Sequence, residues 1–574
     1  MSVELQKSIK KKILLNNNFL DDINQILHNE GVEQSKRYII IKNLLLKKFS
    51  NDTLSVDIDI NSNVLKKIEP ILSDIFLSKQ ELFQKFFMFY GDKFLKKSLD
   101  QFYTPANIGS FICSCLVKNK KIIDPAGGTG DLVISYEGKS INVWDKSKEA
   151  IDMAKINFEI QNKKASFNVN DSLLDYDTNN EFYDYVILNP PFGTKTITDD
   201  KDILENYSLG KNKSKQELGI LFIERSLMLL KNKGILFVVV PNGYLGNSNS
   251  SYVNLRKMIV EENRLIAIIK LPDNTFSRSG TGVSTSILVI QKCNKIQTEN
   301  YNIFIENITE IGYELNKKNT PLKFLKDDEG NYIVNDNQEP VINSDLNTVF
   351  LKLSKFAKDN NIDNLVQSDN NIKYEQIEKD NLADTYILDI NRYLNIYKNT
   401  ITTLSSGDCC KIRDLTIIKP NISFNRKKAE TTTYKYLDIS EVNTPLYNGK
   451  KLKLNDLPQR AKYILKKHDI IVSKLKGNIT FCVITEEENN VVSSNGFCVI
   501  RPKDYNSLII IFANLFTKEF KIQHQSLVTG SIMESLDDND IYDIIINKEV
   551  NYQKYETIIN SLTILNKELL SCKE

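Results

Sequence analysis

The feature that most constrains this chain is an alternation running from residue 121 to residue 291. Short apolar runs occur at KIID (121–124), INVWD (141–145), ASFNVND (165–171), YDYVILNPP (183–191), GILFVVVP (234–241), RLIAIIKLP (264–272) and STSILVIQ (284–291). Between them lie segments such as 148–161 and 216–230, whose apolar residues recur at helical spacing. Runs of this length separated by helices predict strands joined by crossovers, hence a mostly parallel, doubly wound α/β sheet. Such sheets bind ligands at the carboxyl ends of their strands, and the chemically informative residues fall there.

The first run leads directly into Asp124-Pro-Ala-Gly-Gly-Thr-Gly130. Glycines let a backbone turn sharply and approach a ligand closely, so Ala126, Gly127, Gly128 and Gly130 are expected to cradle a nucleoside cofactor. The second run ends in Trp144-Asp145 and the third in Asn170-Asp171-Ser172. A carboxylate at Asp145 suits the two hydroxyls of a ribose, and one at Asp171, with Ser172 beside it, suits a purine amino group. Trp144 is expected to flank the base. The spacing G-x-G-x-x-G of dinucleotide sites and the G-x-x-x-x-G-K-[ST] of phosphate loops are both missing, which argues against NAD, FAD or a nucleoside triphosphate.

The fourth run ends in Asn189-Pro190-Pro191-Phe192. The prolines stiffen the backbone and remove two N–H donors. The Asn189 side-chain oxygen and the Pro190 carbonyl can then both accept from one amino group, with Phe192 as a ring for a planar substrate to stack on. An amino group conjugated with a ring is a poor nucleophile. Two acceptors on its hydrogens localise its lone pair, so catalysis here comes from positioning and from preorganised acceptors. The loop alone does not separate an adenine amino group from a glutamine amide, or DNA from RNA.

The flanks differ. Residues 1–100 read as helical, with helical spacing at 13–26, 38–49 and 64–76, Pro70 expected to break or kink the third segment, and a further segment, 81–94, rich in aromatics. No carboxylate–lysine cluster of a nuclease stands out there. Residues 296–406 read as a connector, with a hairpin turn at DDEGN (327–331) and a helix from Ser344 to 358. Residues 407–574 read as a second strand-rich unit with a helical tail. The 574 residues suit two to four domains. The eight cysteines form no C-x-x-C pair, so no metal site or disulfide framework is expected. With no signal core in residues 1–15 and no run of 18 apolar residues, a cytoplasmic location and no membrane partner are expected. Seventy-five basic residues against 73 acidic leave a net charge of +2, so any nucleic-acid surface must be local.

In the order Gln101-Phe102-Tyr103-Thr104-Pro105, then Asp124 to Gly130, then Asn189 to Phe192, the sequence resembles the N6-adenine DNA methyltransferases. Within them it is similar to the modification subunits of type I restriction systems and to the related type IIG enzymes. The resemblance covers residues 101–295, with Gln216-Glu217-Leu218 and Leu271-Pro272 followed by Phe276 as later motifs. It implies a Rossmann-like S-adenosyl-L-methionine-dependent methyltransferase fold between an N-terminal helical domain and a C-terminal mixed α/β domain. It gives Phe102, Tyr103, Thr104 and Pro105 a place over the cofactor, and makes Phe276 a second wall for a flipped-out adenine. The family often carries Cys where this chain has Gly127. The C-terminal part resembles one half of a type I specificity subunit, a target recognition domain, through Lys411-Ile-Arg-Asp414, Tyr436-Leu-Asp-Ile439, Leu457-Pro-Gln-Arg-Ala461 and Asp469 to Lys474. Arg426, Lys427, Lys428, Lys474 and Lys476 are the expected DNA contacts. The resemblance implies double-stranded DNA as partner, a monomer or homodimer, and a restriction or specificity subunit as a further partner on which activity could depend.

Overall fold

The computed structural model describes residues 3–49, 60–75, 77–94, 104–192, 196–277, 282–315, 321–382, 385–417, 433–477, 479–486, 490–530 and 534–571. The chain divides into two compact units, Met1–Leu388 and Asp389–Glu574.

The first unit opens with helices α1 (Val3–Asn29), α2 (Gln34–Phe49), α3 (Ser62–Ser73) and α4 (Lys79–Phe94). Their apolar stripes meet in one core that includes Phe19, Ile23, Ile41, Leu44, Ile68 and Phe86. Asn61 caps α3 by accepting from Asn63 N–H. Pro70 does not break that helix. It sits in the last turn, where its carbonyl still accepts from Asp74 N–H at 3.3 Å.

A nine-stranded sheet follows. Its strands are β1 (Lys121–Asp124), β2 (Ser140–Asp145), β3 (Ser166–Val169), β4 (Tyr183–Leu188), β5 (Leu230–Pro241), β6 (Arg264–Lys270), β7 (Thr285–Gln291), β8 (Asn302–Asn307) and β9 (Glu375–Glu378). They lie in the order β9-β8-β6-β7-β5-β4-β1-β2-β3. Strands β3, β2, β1, β4 and β5 pair in parallel, as the alternation predicts. The far half departs from a parallel sheet, because β7 runs antiparallel to both neighbours, β5 and β6. The segment 271–284 holds no crossover helix among its described residues, so β7 returns beside β6 as a hairpin partner and slots in against β5. Strands β8 and β9 lie within the stretch expected to be a connector and extend the sheet. The turn at 327–331 forms as expected, with Asp327 N–H on the Asn331 carbonyl at 2.9 Å.

Helices α5 (Ala106–Ser114), α6 (Lys148–Ile160) and α8 (Leu346–Asp359) bury one face of the sheet in a common core. Helix α7 (Leu218–Leu229) packs on β4 and β5. Strand residues alternate between the two covered faces, which is why β4, β5 and β7 read as continuous apolar runs.

The second unit holds a four-stranded sheet built from Lys450–Lys453, Thr433–Leu437, Val491–Ser494 and Ala461–Leu465, and a three-stranded sheet of Phe481–Val483, Ile470–Ser473 and Phe497–Ile500. Helices Tyr505–Asn514, Lys518–Leu527 and Tyr552–Ser571 contribute to its core. Asp469, 1% exposed, holds a two-pronged ion pair with Arg501, both bonds 2.7 Å. The Asp of the Asp-Ile-Ile-Val-Ser-Lys motif is therefore structural. Among the described residues no helix is long and apolar enough to cross a membrane.

Candidate active site

The carboxyl ends of β1, β2, β3 and β4 open onto one cavity of about 490 Å³, a size suited to a small-molecule ligand. Asp124, the last residue of β1, is 1% exposed and accepts from Ala126 N–H at 3.1 Å. The chain then turns back on itself, with Gly130 N–H on the Gly127 carbonyl at 2.7 Å. Gly130 holds φ at +76°, and a Cβ there would lie 2.7 Å from Phe158 Cε2 on α6. A Cβ at Gly127 would lie 2.6 Å from Val143 Cγ1. The space a Cys side chain would need is thus filled from β2, and the glycine is matched to this valine.

Strand β2 presents Asp145 to the same loop. Its Oδ2 accepts from Gly128 N–H at 2.9 Å and its Oδ1 from Ser147 N–H at 2.8 Å. Each oxygen keeps a second lone pair for a ligand hydroxyl. Trp144 points to the opposite side of the pleat. It is 2% exposed, packed edge-on to Tyr183, and it does not line the cavity. The expectation that it flanks a base is therefore corrected: successive strand residues face opposite ways, and Asp145 takes the ligand side.

Beyond β3, Asp171 Oδ1 accepts from Leu173 N–H at 3.1 Å, and Ser172 Oγ donates to the Pro125 carbonyl at 2.6 Å. The latter bond ties the third strand end to the glycine turn. The loop beyond is gripped by Arg225 of α7, which is 0% exposed. Its guanidinium donates to the carbonyls of Ser172, Tyr176, Asp175 and Thr178 and to Asn180 Oδ1.

Asn189, Pro190 and Pro191 form the cavity wall beside the glycine turn. Asn189 Nδ2 donates to Thr104 Oγ1 at 3.0 Å, which directs the amide oxygen to the other edge of the group. Thr104 lines the cavity, whereas Pro105 serves as the N-cap of α5. Phe102 and Tyr103 lie outside the described residues, as do Arg426, Lys427 and Lys428. Phe192 and Phe276 come together edge to face, ring centres 6.3 Å apart, but both are buried and neither lines the cavity. Lys474 pairs with Asp538 and Lys476 with Glu534, each at 2.5 Å, so both expected DNA contacts are engaged with carboxylates of their own unit.

Several lining residues are not marked by any motif: Asp131, Lys146, Ile203 and Phe222. Asp131 is 5% exposed, accepts from Thr129 Oγ1, and receives Asn157 Nδ2 at 3.4 Å. Its place directly after the glycine turn was the one available signal. The electrostatics are those of carboxylates withdrawn from water. Burial, reinforced by Asp145 and Asp131 against the bond from Ala126 N–H, pushes Asp124 up to about 8. Burial also lifts Asp131 to about 6 and raises Asp145. Such a cavity favours a ligand that carries positive charge. No cysteine lines it, and no group of three His, Cys, Asp or Glu suited to a metal occurs among the described residues.

The model of the N-6 DNA Methylase family matches residues 82–382. The type I restriction enzyme MpnII methylase subunit of Mycoplasma pneumoniae is 25% identical over 347 residues, 51% of this chain and 62% of that protein. The type II methyltransferase M.HincII of Haemophilus influenzae is 26% identical over 221 residues, 37% of this chain and 40% of its own length. The type IIG restriction endonuclease BpuSI superposes with a TM-score of 0.47 at 12% identity, covering 96% of this chain and 72% of that one. The chain thus spans about two-fifths to three-fifths of the length of these two curated relatives. With the family model covering more than half of its length, this chain belongs to the N-6 DNA methylase family.

Proposed function

We propose that the protein is a site-specific DNA adenine-N6 methyltransferase that uses S-adenosyl-L-methionine and acts on an adenine flipped out of duplex DNA. One observation carries the reading: the glycine turn, Asp145, Asp171, Ser172 and Asn189-Pro190-Pro191 line a single cavity. The residues fit the cofactor. Gly127 has no room for a side chain, Asp145 and Asp171 offer acceptors for ribose hydroxyls and a base amino group, and buried carboxylates suit a cation. When bound, the cofactor supplies a methyl group on a sulfonium, an electrophile that needs no further activation.

The chain's own residues supply orientation. Asn189 Oδ1 and the Pro190 carbonyl accept from the two amino hydrogens of adenine, drawing the nitrogen lone pair out of conjugation. Pro191 keeps that turn rigid. Phe192 and Phe276, both buried outside the cavity, would serve as an aromatic wall for the base only after a movement that exposes their rings, offsetting part of the stacking lost on flipping. Thr104 holds the Asn189 amide in the required orientation. We assign the helical part to residues 1–100, catalysis to 101–295, and sequence reading to 407–574; the stretch 296–406 adds β8 and β9 to the catalytic sheet before it leads into the second unit at Asp389. Lys474 and Lys476 would contact DNA only by exchanging their carboxylates for phosphates. A restriction or specificity subunit is the further partner this reading allows.

The test is transfer of tritiated methyl from S-adenosyl-L-methionine to varied duplex DNA, with nucleoside analysis of the product. Label should appear as N6-methyladenine and be lost in Asn189→Ala while cofactor binding persists. Label in protein or RNA instead, or N6-methyladenine undiminished in Asn189→Ala, overturns the reading.

A further inference from the structure

We infer that Gln84, on helix α4, is a positioning residue for the methyl transfer: its buried amide holds Thr104 and, through Thr104, the amide of Asn189. The inference rests on the function proposed above.

Helix α4 has three distinct sides. Leu82 and Phe86 point into the helical core. Phe83 packs with Leu46 and Ile160. The remaining side carries Gln80 and Gln84, one turn apart, 5% and 3% exposed. Gln80 Nε2 donates to the Asp131 carbonyl at 2.8 Å, and Gln84 Nε2 donates to the Thr104 carbonyl at 2.8 Å. Gln84 also hydrogen-bonds the Asp131 carboxylate. Two neighbouring amides of the N-terminal helices are therefore spent on two walls of the cavity, since Thr104 and Asp131 both line it.

Buried amides are costly unless paired, and a methionine of similar length would fill the same space with no polar group to satisfy. What the amide adds is direction. Thr104 belongs to no helix or strand, so no backbone ladder fixes it, and the bond from Gln84 supplies that restraint. From the restrained backbone, Thr104 Oγ1 accepts from Asn189 Nδ2 at 3.0 Å. If Thr104 shifts, Asn189 loses one of the contacts that hold its amide in place. A turned amide would then face the adenine amino group with N–H donors in place of its oxygen, and one of the two acceptors is gone.

The full-length chain decides this through Gln84→Met and Gln84→Glu, with thermal unfolding, cofactor affinity by calorimetry, and kcat and KM on DNA. Gln84→Met should lower kcat by on the order of 10- to 100-fold, with a smaller change in cofactor Kd, because Asp145 and Asp171 are untouched. Gln84→Glu places a carboxyl against the Thr104 carbonyl, near Asp131 and Glu81. Protonated, it donates one hydrogen bond, and ionised it donates none. Its activity relative to wild type should therefore recover as pH falls from about 8 to about 6, whereas Gln84→Met stays low throughout. A residue that only fills space gives no such recovery, so this arm decides even if Gln84→Met is too unstable to assay. Wild-type kcat in Gln84→Met, or a Gln84→Glu profile parallel to wild type, overturns the inference. A wild-type protein inactive on DNA instead refutes the function proposed above, and this inference with it.

Discussion

On the proposed function, Asp124 should make cofactor binding pH-dependent, and the size of the effect follows from its surroundings. The carboxyl is 1% exposed and burial pushes it up to about 8 from an ordinary 3.8, so near neutrality most molecules hold it protonated. A cation brought within about 4–6 Å of a carboxylate lowers its pKa by about 1–3 units. If the sulfonium of S-adenosyl-L-methionine enters this cavity, Asp124 gives up its proton on binding, and affinity rises with pH up to about 8 and levels off above. Between about pH 6.5 and pH 8.5 the gain should be roughly tenfold or more. Calorimetry in buffers of different ionisation enthalpy counts the released protons directly. The α-amino group of the ligand titrates in the same range. S-adenosylhomocysteine has that amino group but no sulfonium, so the excess slope of S-adenosyl-L-methionine over it isolates the protein's part. Asp124→Asn should remove the excess. The same shift sets the stability of the free protein. Between 3.8 and about 8 the folded state binds more protons at Asp124 than the unfolded state, so this residue's contribution falls as pH rises through that window. Equal slopes for the two ligands, or an unchanged excess in Asp124→Asn, refute the reasoning.

Two further substitutions probe the scaffold under the site. Arg225→Met leaves the carbonyls of Ser172, Asp175, Tyr176 and Thr178 without their donor; it should cost about 3 kcal/mol in chemical denaturation and weaken cofactor binding through the Asp171 loop, and a loss under about 1 kcal/mol contradicts the clamp. Gly130→Ala forces a side chain onto a φ of +76° and against Phe158; a penalty of about 1–3 kcal/mol with weaker cofactor binding is expected, and a thermal unfolding curve and affinity equal to wild type speak against a strained turn.

How far this site could be read from sequence depends on which physical signal each residue carries. Asp145, Asp171 and Asn189 were legible because each closes an apolar run, and a polar residue at that point of a parallel sheet lies at its ligand-binding edge. Trp144 faces away from the cavity although Asp145 beside it lines it, because one step along a strand reverses the face. Strand β7 hides its direction, since an apolar run buried on both sides looks alike parallel or antiparallel; the described residues of 271–284 hold no crossover helix, and that betrays it. Gln80 and Gln84 carried the least signal of all. Periodicity assigns polar residues to the solvent side of a helix, so a helix whose polar stripe is buried against a second structure reads as an ordinary amphipathic one. Here that stripe carries two amides that each meet a backbone carbonyl of the cavity wall. Satisfying such a carbonyl from another element requires the two to be placed together in three dimensions, which a one-dimensional pattern of hydrophobicity does not encode. The residues that orient a site are therefore the ones least visible in the pattern that reveals it.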